Sequence, residues 1–122
     1  MFLKNPEKQK KTKQKRRAFR VRMKLRESSS LLTSRLCVHR SLRFMSAQLI
    51  DDSKGRTLLA LHSKKVSLKG SKTEQARLLG EAFGKMLKEK KIDRIIFDRG
   101  PYRYHGRVKA FAQGIREQGI AF

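Results

Sequence analysis

Acidic residues are scarce in this chain of 122 residues: 10 Asp and Glu stand against 32 Lys and Arg, a formal net charge of +22. A compact body so charged repels itself, so its working state is expected to include a polyanion, either nucleic acid or an anionic membrane surface. Long apolar runs are missing too. None approaches the roughly 20 residues needed to span a bilayer, and no membrane partner is expected. Met1-Phe2-Leu3 is too short for the apolar region of a secretory signal, and the basic stretch follows it instead of preceding it. The Lys-rich, Ser-poor run from Lys8 to Lys15 argues against a transit peptide. Cys37 is the only cysteine, which excludes an internal disulfide framework and fits a reducing interior. It reads as a small apolar core residue.

Groupings that could carry catalysis are missing as well. His39, His62 and His105 lie far apart, and no pair has the spacing of a structural zinc site, so no metal or cofactor is expected. No Ser or Cys occupies a nucleophile elbow or sits beside a paired His. Asp51, Asp52 and Asp98 could in principle hold magnesium in a nuclease. However, Asp51-Asp52-Ser53-Lys54-Gly55 has ordinary turn chemistry, and neighbouring strand residues face opposite ways. The structural reading wins, and no catalytic residue is expected.

The charge that is present is unevenly placed. Residues 1–26 hold 12 Lys and Arg and one acid, Glu7, for a net +11; the other 96 positions hold 20 and 9, again +11. This divides the chain into a basic arm, residues 1–30, and a single domain, residues 31–122. A short helix from about Arg16 to Glu27 is expected in the arm, but its few apolar residues would not keep it folded alone. The arm is therefore expected to be disordered when free and to order along a phosphate backbone. Ser28-Ser29-Ser30 reads as a linker.

The domain begins near Thr33. Alternation over Arg35–Ser41 puts Leu36 and Val38 on one face; over Met45–Ile50 it does the same for Met45, Ala47 and Leu49. With a third strand over Thr57–His62, these form an antiparallel meander. After the polar stretch from Ser63 to Gly70, Ser71-Lys72-Thr73-Glu74 fits a capping box. Ala76, Leu79, Phe83, Met86 and Leu87 then mark the apolar face of a helix. The spacing of Gly80 and Gly84 would let that helix approach the sheet closely. Ile95-Ile96-Phe97 suits a strand in the sheet interior. A last helix runs from about Gly106 to Gln118, with Val108, Phe111, Ala112 and Ile115 inward and Gly119 as its C-terminal cap. The fold class is α/β: a three-stranded meander extended by a fourth strand into a mixed sheet, in the order βββαβα. There are no internal repeats.

The segment from Asp98 to Arg107 interleaves three Arg with two Tyr and a His, as a surface that stacks on bases and neutralises phosphates would. Backbone amides of the helix that follows could also meet an anion. Equally, its Tyr rings could cover the sheet edge, with Gly100 and Pro101 setting the bend. A split is expected, with Tyr102 packed inward and Tyr104 meeting RNA. By composition alone, a histone-like nucleic-acid coat and a magnesium-dependent nuclease are the competing readings.

The stretch from Phe97 to Ala110 resembles the signature of the bacterial large-subunit ribosomal protein eighteen family, F-D-R-G-G-Y-x-Y-H-G-R-V-K-A, with Pro101 as its main departure. Arg35–Ser41, Ala47–Asp52, the basic arm through Arg26 and the ending Gly119-Ile120-Ala121-Phe122 agree as well, so the resemblance covers about 110 residues. It implies a structural, non-enzymatic constituent of the large ribosomal subunit. Such a protein binds 5S ribosomal RNA and helps attach it to 23S ribosomal RNA. It would work as a monomer in the cytoplasmic ribosome, beside neighbouring 5S-associated proteins. Carried over by position, the implied RNA contacts on the arm are Lys13, Lys15, Arg16, Arg17, Arg20, Arg22 and Arg26. In the body they are Arg40, Ser41, Arg43, Arg99, Arg103, Tyr104 and His105. This chain has Leu42-Arg43-Phe44-Met45-Ser46 where the family usually has Asn-Lys-His-Ile-Tyr, which removes an Asn and a Tyr. Ser34 replaces a frequent Pro.

Overall fold

The computed structural model describes residues 6–28, 33–65 and 69–122. Met1-Phe2-Leu3, the middle of the serine linker and the arm–domain boundary near residue 30 lie outside the described residues.

The described part of the arm is one helix, α1, Pro6–Ser28, which begins ten residues earlier than the expected Arg16 start. Apolar periodicity underestimated it because propensity, not amphipathicity, builds this helix. Lys, Arg, Gln, Met and Leu are all strong helix formers. Pro6 opens the first turn, where its missing N–H costs nothing, and Glu7 complements the helix dipole there.

The meander follows as β1, Arg35–Arg40, β2, Met45–Asp51, and β3, Arg56–His62. A 3-10 turn over Ser63–Lys65 leads towards α2, Lys72–Glu89. The capping box is formed: the Glu74 N–H donates to Ser71 Oγ and the Ser71 N–H to Glu74 Oε2, both at 3.3 Å. The chain closes with β4, Ile96–Asp98, and α3, Arg107–Glu117. Sheet order is β3-β2-β1-β4, with antiparallel β1–β2 and β2–β3 pairs and a parallel β1–β4 pair. The sheet is thus mixed, as expected.

Leu36, Val38, Met45, Ala47 and Leu49 are buried on one sheet face, against Ala76, Leu79, Phe83 and Leu87 of α2 and Val108, Phe111 and Ile115 of α3. This apolar layer is the main stabilising term, since each large side chain so buried contributes about 1.5–3 kcal/mol.

Three expectations need correction. First, β4 is an edge strand and not an interior one. Its apolar run is instead covered by the end of the chain: the Ile95 N–H donates to Ala121 O at 3.1 Å, and Phe122 stacks on Phe97 with centroids 5.3 Å apart. Second, the glycines of α2 approach α3 and not the sheet. A Cβ on Gly80 would lie 2.2 Å from the Phe111 carbonyl oxygen, and one on Gly114 would lie 2.3 Å from that of Arg77. Third, Cys37 is half-buried on the face away from the core, where it meets Arg35 and Asp98.

Candidate nucleic-acid interface

The three side chains that meet on that second face hold β1, β4 and the β2–β3 turn together. Arg35 donates from Nη1 to Asp98 Oδ2 at 2.7 Å and from Nε and Nη2 to the two oxygens of Asp52 at 3.0 and 3.2 Å. Asp98 is 2 % exposed, and its other oxygen accepts the Gly100 N–H at 2.9 Å. Both acids thus neutralise an arginine, and Asp98 also shapes the turn that follows it. Asp51 serves its own turn by accepting from Ser53 N and Oγ, which lowers its pKa. Burial pushes the Cys37 thiol up to about 11 against the opposing charge of Arg35. That keeps it a thiol, not a nucleophilic thiolate. Among the described residues, no three His, Cys, Asp or Glu side chains gather as a metal would require.

By fixing the end of β4, this ion pair sets where the next loop begins. In that loop the Arg99 guanidinium donates to the Tyr102 carbonyl at 2.7 Å, curling the chain back on itself. The Tyr102 hydroxyl accepts the Arg40 N–H at 3.1 Å and donates to the Arg40 carbonyl at 3.3 Å, tying the loop to the end of β1. Tyr102 is half-buried against the core, as expected. Tyr104 is 39 % exposed, sets its edge on Phe97 and accepts a hydrogen bond from Arg116 at 3.1 Å.

α1 packs against β4, with Ala18, Val21 and Leu25 half-buried. Between helix and loop lies a cleft of about 560 Å³, bordered by Arg17, Arg20 and Lys24 on one side and Arg99 and Arg103 on the other. Five cations from segments some 80 residues apart border this cleft, and none of its lining residues is acidic. Sequence reasoning omitted Lys24, although its spacing from Arg17 and Arg20 places all three along one side of a helix.

The other expected contacts do not all converge on this cleft. Lys13, Lys15, Arg16 and Arg22 are exposed on α1, and Arg26 lies in its last turns. Arg22 is close enough to Cys37 for its charge to act on the thiol. Arg40 is exposed with its guanidinium 5.0 Å from the centre of the Tyr102 ring. Arg107, the third arginine of the loop segment, is half-buried nearby; desolvation, then repulsion from Arg40, lowers its pKa. Ser41 and Arg43 are exposed in the β1–β2 turn, away from the cleft lining, and Arg103 and His105 are exposed in the loop. No side chain caps the N-terminus of α3.

A basic helix and a cation-rich loop, both mounted on a small mixed sheet, define a class: a basic α/β protein with one surface suited to a polyanion. Comparison with known proteins makes the class specific. The family of ribosomal L18 from archaea, bacteria, mitochondria and chloroplast matches residues 8–122. Large ribosomal subunit protein uL18 of Thermus thermophilus is 50 % identical over 107 residues, covering 88 % of this chain and 93 % of that protein. Its counterpart in Prosthecochloris aestuarii is 44 % identical over 110 residues, covering 88 % and 92 %. That of Brachyspira hyodysenteriae is 42 % identical over 113 residues, covering 92 % and 94 %. The chain belongs to the L18 family of ribosomal proteins, which are structural and not enzymatic.

Proposed function

We propose that this protein is a structural constituent of the large ribosomal subunit that binds 5S ribosomal RNA and helps attach it to 23S ribosomal RNA. The observation that carries the reading is the cleft between α1 and the Arg99–Arg103 loop, where five cations face one another with no acid in the lining. Like charges gathered in this way make a favourable place for phosphates to enter. Counterion release then makes binding favourable and strongly salt-dependent. Neighbouring 5S-associated proteins would complete the surroundings of a monomeric subunit.

The arm follows the same logic. Among its described side chains only Ala18, Val21 and Leu25 are half-buried, so we read the arm as disordered in the free protein and the packed α1 as the form that bound RNA holds. Trypsin should therefore cut the free arm long before the body, and bound RNA should protect it.

Phosphate contacts alone carry no sequence information, so selectivity is the deciding measurement. Tagged protein incubated with total cellular RNA and DNA should retain mainly 5S ribosomal RNA, as read by sequencing. Retention of RNA and DNA in proportion to their abundance would instead make it a general nucleic-acid coat.

A further inference from the structure

Two large apolar side chains stand exposed at the tip of the β1–β2 hairpin: Leu42 at 83 % and Phe44 at 37 %. The tip is fixed in place. The Ser41 N–H donates to the Phe44 carbonyl at 2.8 Å, the Phe44 N–H donates to Ser41 Oγ at 3.0 Å, and the Lys72 ammonium binds the Leu42 carbonyl. Phe44 also leans on the His62 ring, with centroids 5.3 Å apart. That imidazole is itself held, because its Nδ1 accepts the Lys64 N–H at 3.0 Å. An exposed, pre-ordered aromatic differs from a loose hairpin tip, because little entropy remains to be lost when something stacks on it.

Charge decides what stacks there. Arg43, Lys72 and Arg107 line the recess beside Phe44, and no acidic side chain joins them. An apolar surface edged by cations suits a nucleobase whose phosphates lie at the edge. We infer that Phe44, supported by His62 and flanked by Leu42, is a stacking platform for an unpaired base of the bound RNA. The platform is separate from the phosphate cleft of the arm. The inference rests on the RNA-binding reading and adds a chemically different contact to it.

The two contacts differ in salt dependence. A stacked base neutralises no phosphate, so losing it lowers affinity without changing the slope of log K against log salt. Full-length protein and 5S ribosomal RNA should be titrated by filter binding over a range of salt. Phe44→Ala and Phe44→Leu should bind about tenfold more weakly, whereas Phe44→Tyr should match the parent. Leu42→Ser, at a position too exposed to matter for folding, should lose about threefold. All four should keep the parental slope, and irradiation of the complex should cross-link RNA to the peptide containing Phe44. Parental affinity in Phe44→Leu would overturn the platform while leaving the RNA reading intact. So would parental RNA affinity in Phe44→Ala combined with poor incorporation into subunits, which would assign the tip to a protein neighbour. No RNA binding by the parent protein would remove both readings together.

Discussion

Residues 1–26 of the arm and the 96 residues that follow carry the same net charge, +11 each, but use it differently. In the body, part of the charge is structural. Arg35 is held between Asp52 and Asp98, Arg77 lies 3.5 Å from Glu81 and 3.3 Å from Glu117, and Arg116 packs on Phe122 and binds Tyr104. Residues 1–26 hold a single acid, Glu7, and the described side chains of α1 are exposed except Ala18, Val21 and Leu25. Equal net charge thus conceals opposite roles. Charges in the body tie its elements together, while those of the arm lie mostly on an exposed helix surface.

Removing residues 1–28 tests this division most severely. The truncated body should keep a cooperative thermal transition, because every buried core side chain among the described residues lies beyond residue 33. Its affinity for 5S ribosomal RNA should fall about a thousandfold at moderate salt. The salt slope should shrink by roughly 5 to 6 if Lys13, Lys15, Arg16, Arg17, Arg20, Arg22 and Arg26 each meet a phosphate. An unfolded body would show that the two regions form one structure, and an unchanged slope would show that the arm touches no RNA.

Next in size is the ion pair of the body. Asp98→Ala leaves the Arg35 guanidinium, at 12 % exposure, with Asp52 alone and removes the acceptor of the Gly100 N–H. A loss of about 3 kcal/mol is expected in chemical denaturation. Asp52→Ala, at the more exposed end of the network, should cost about 1 kcal/mol. Equal and negligible losses would mean that the charges of the body are as dispensable to folding as those of the arm.

Much of the body was legible in sequence because its signals are local. Alternation placed Leu36, Val38, Met45, Ala47 and Leu49 on the buried face, and the capping box started α2. What escaped was long-range or non-periodic. Nothing near Asp98 in sequence names Arg35, 63 residues away, as its partner. Gly80 announced a close approach but not to what, because a small residue specifies a distance and not a neighbour. The apolar run of β4 signalled full cover, and the chain end supplies part of it, a contact that strand patterning does not encode. The length of α1 escaped because apolar periodicity is blind to a helix built from propensity alone. At the candidate interface, the basic residue types were visible from composition. Their convergence in one cleft depends on α1 packing against β4, which no motif states.

The two tyrosines supply the finest test, since they repeat the contrast of arm and body within one loop. Tyr102 is tied down: its hydroxyl exchanges two hydrogen bonds with the Arg40 backbone, and its ring meets His39 edge-on at 6.4 Å. Tyr102→Phe should therefore lower stability by about 1 kcal/mol and leave RNA affinity unchanged. Tyr104 has one aromatic edge contact, one hydrogen bond from an exposed arginine, and 39 % of its surface open between Arg103 and His105. Tyr104→Ala should cost about 1 kcal/mol of stability, the worth of one such ring contact. Its affinity for 5S ribosomal RNA should fall by about 1–3 kcal/mol with the salt slope preserved, because a stacked ring holds no phosphate. Thermal midpoints and filter binding on the two variants separate these effects. If Tyr104→Ala binds as tightly as the parent but melts far lower, its ring belongs to the core with Phe97. The RNA face of this loop would then consist of its arginines and His105.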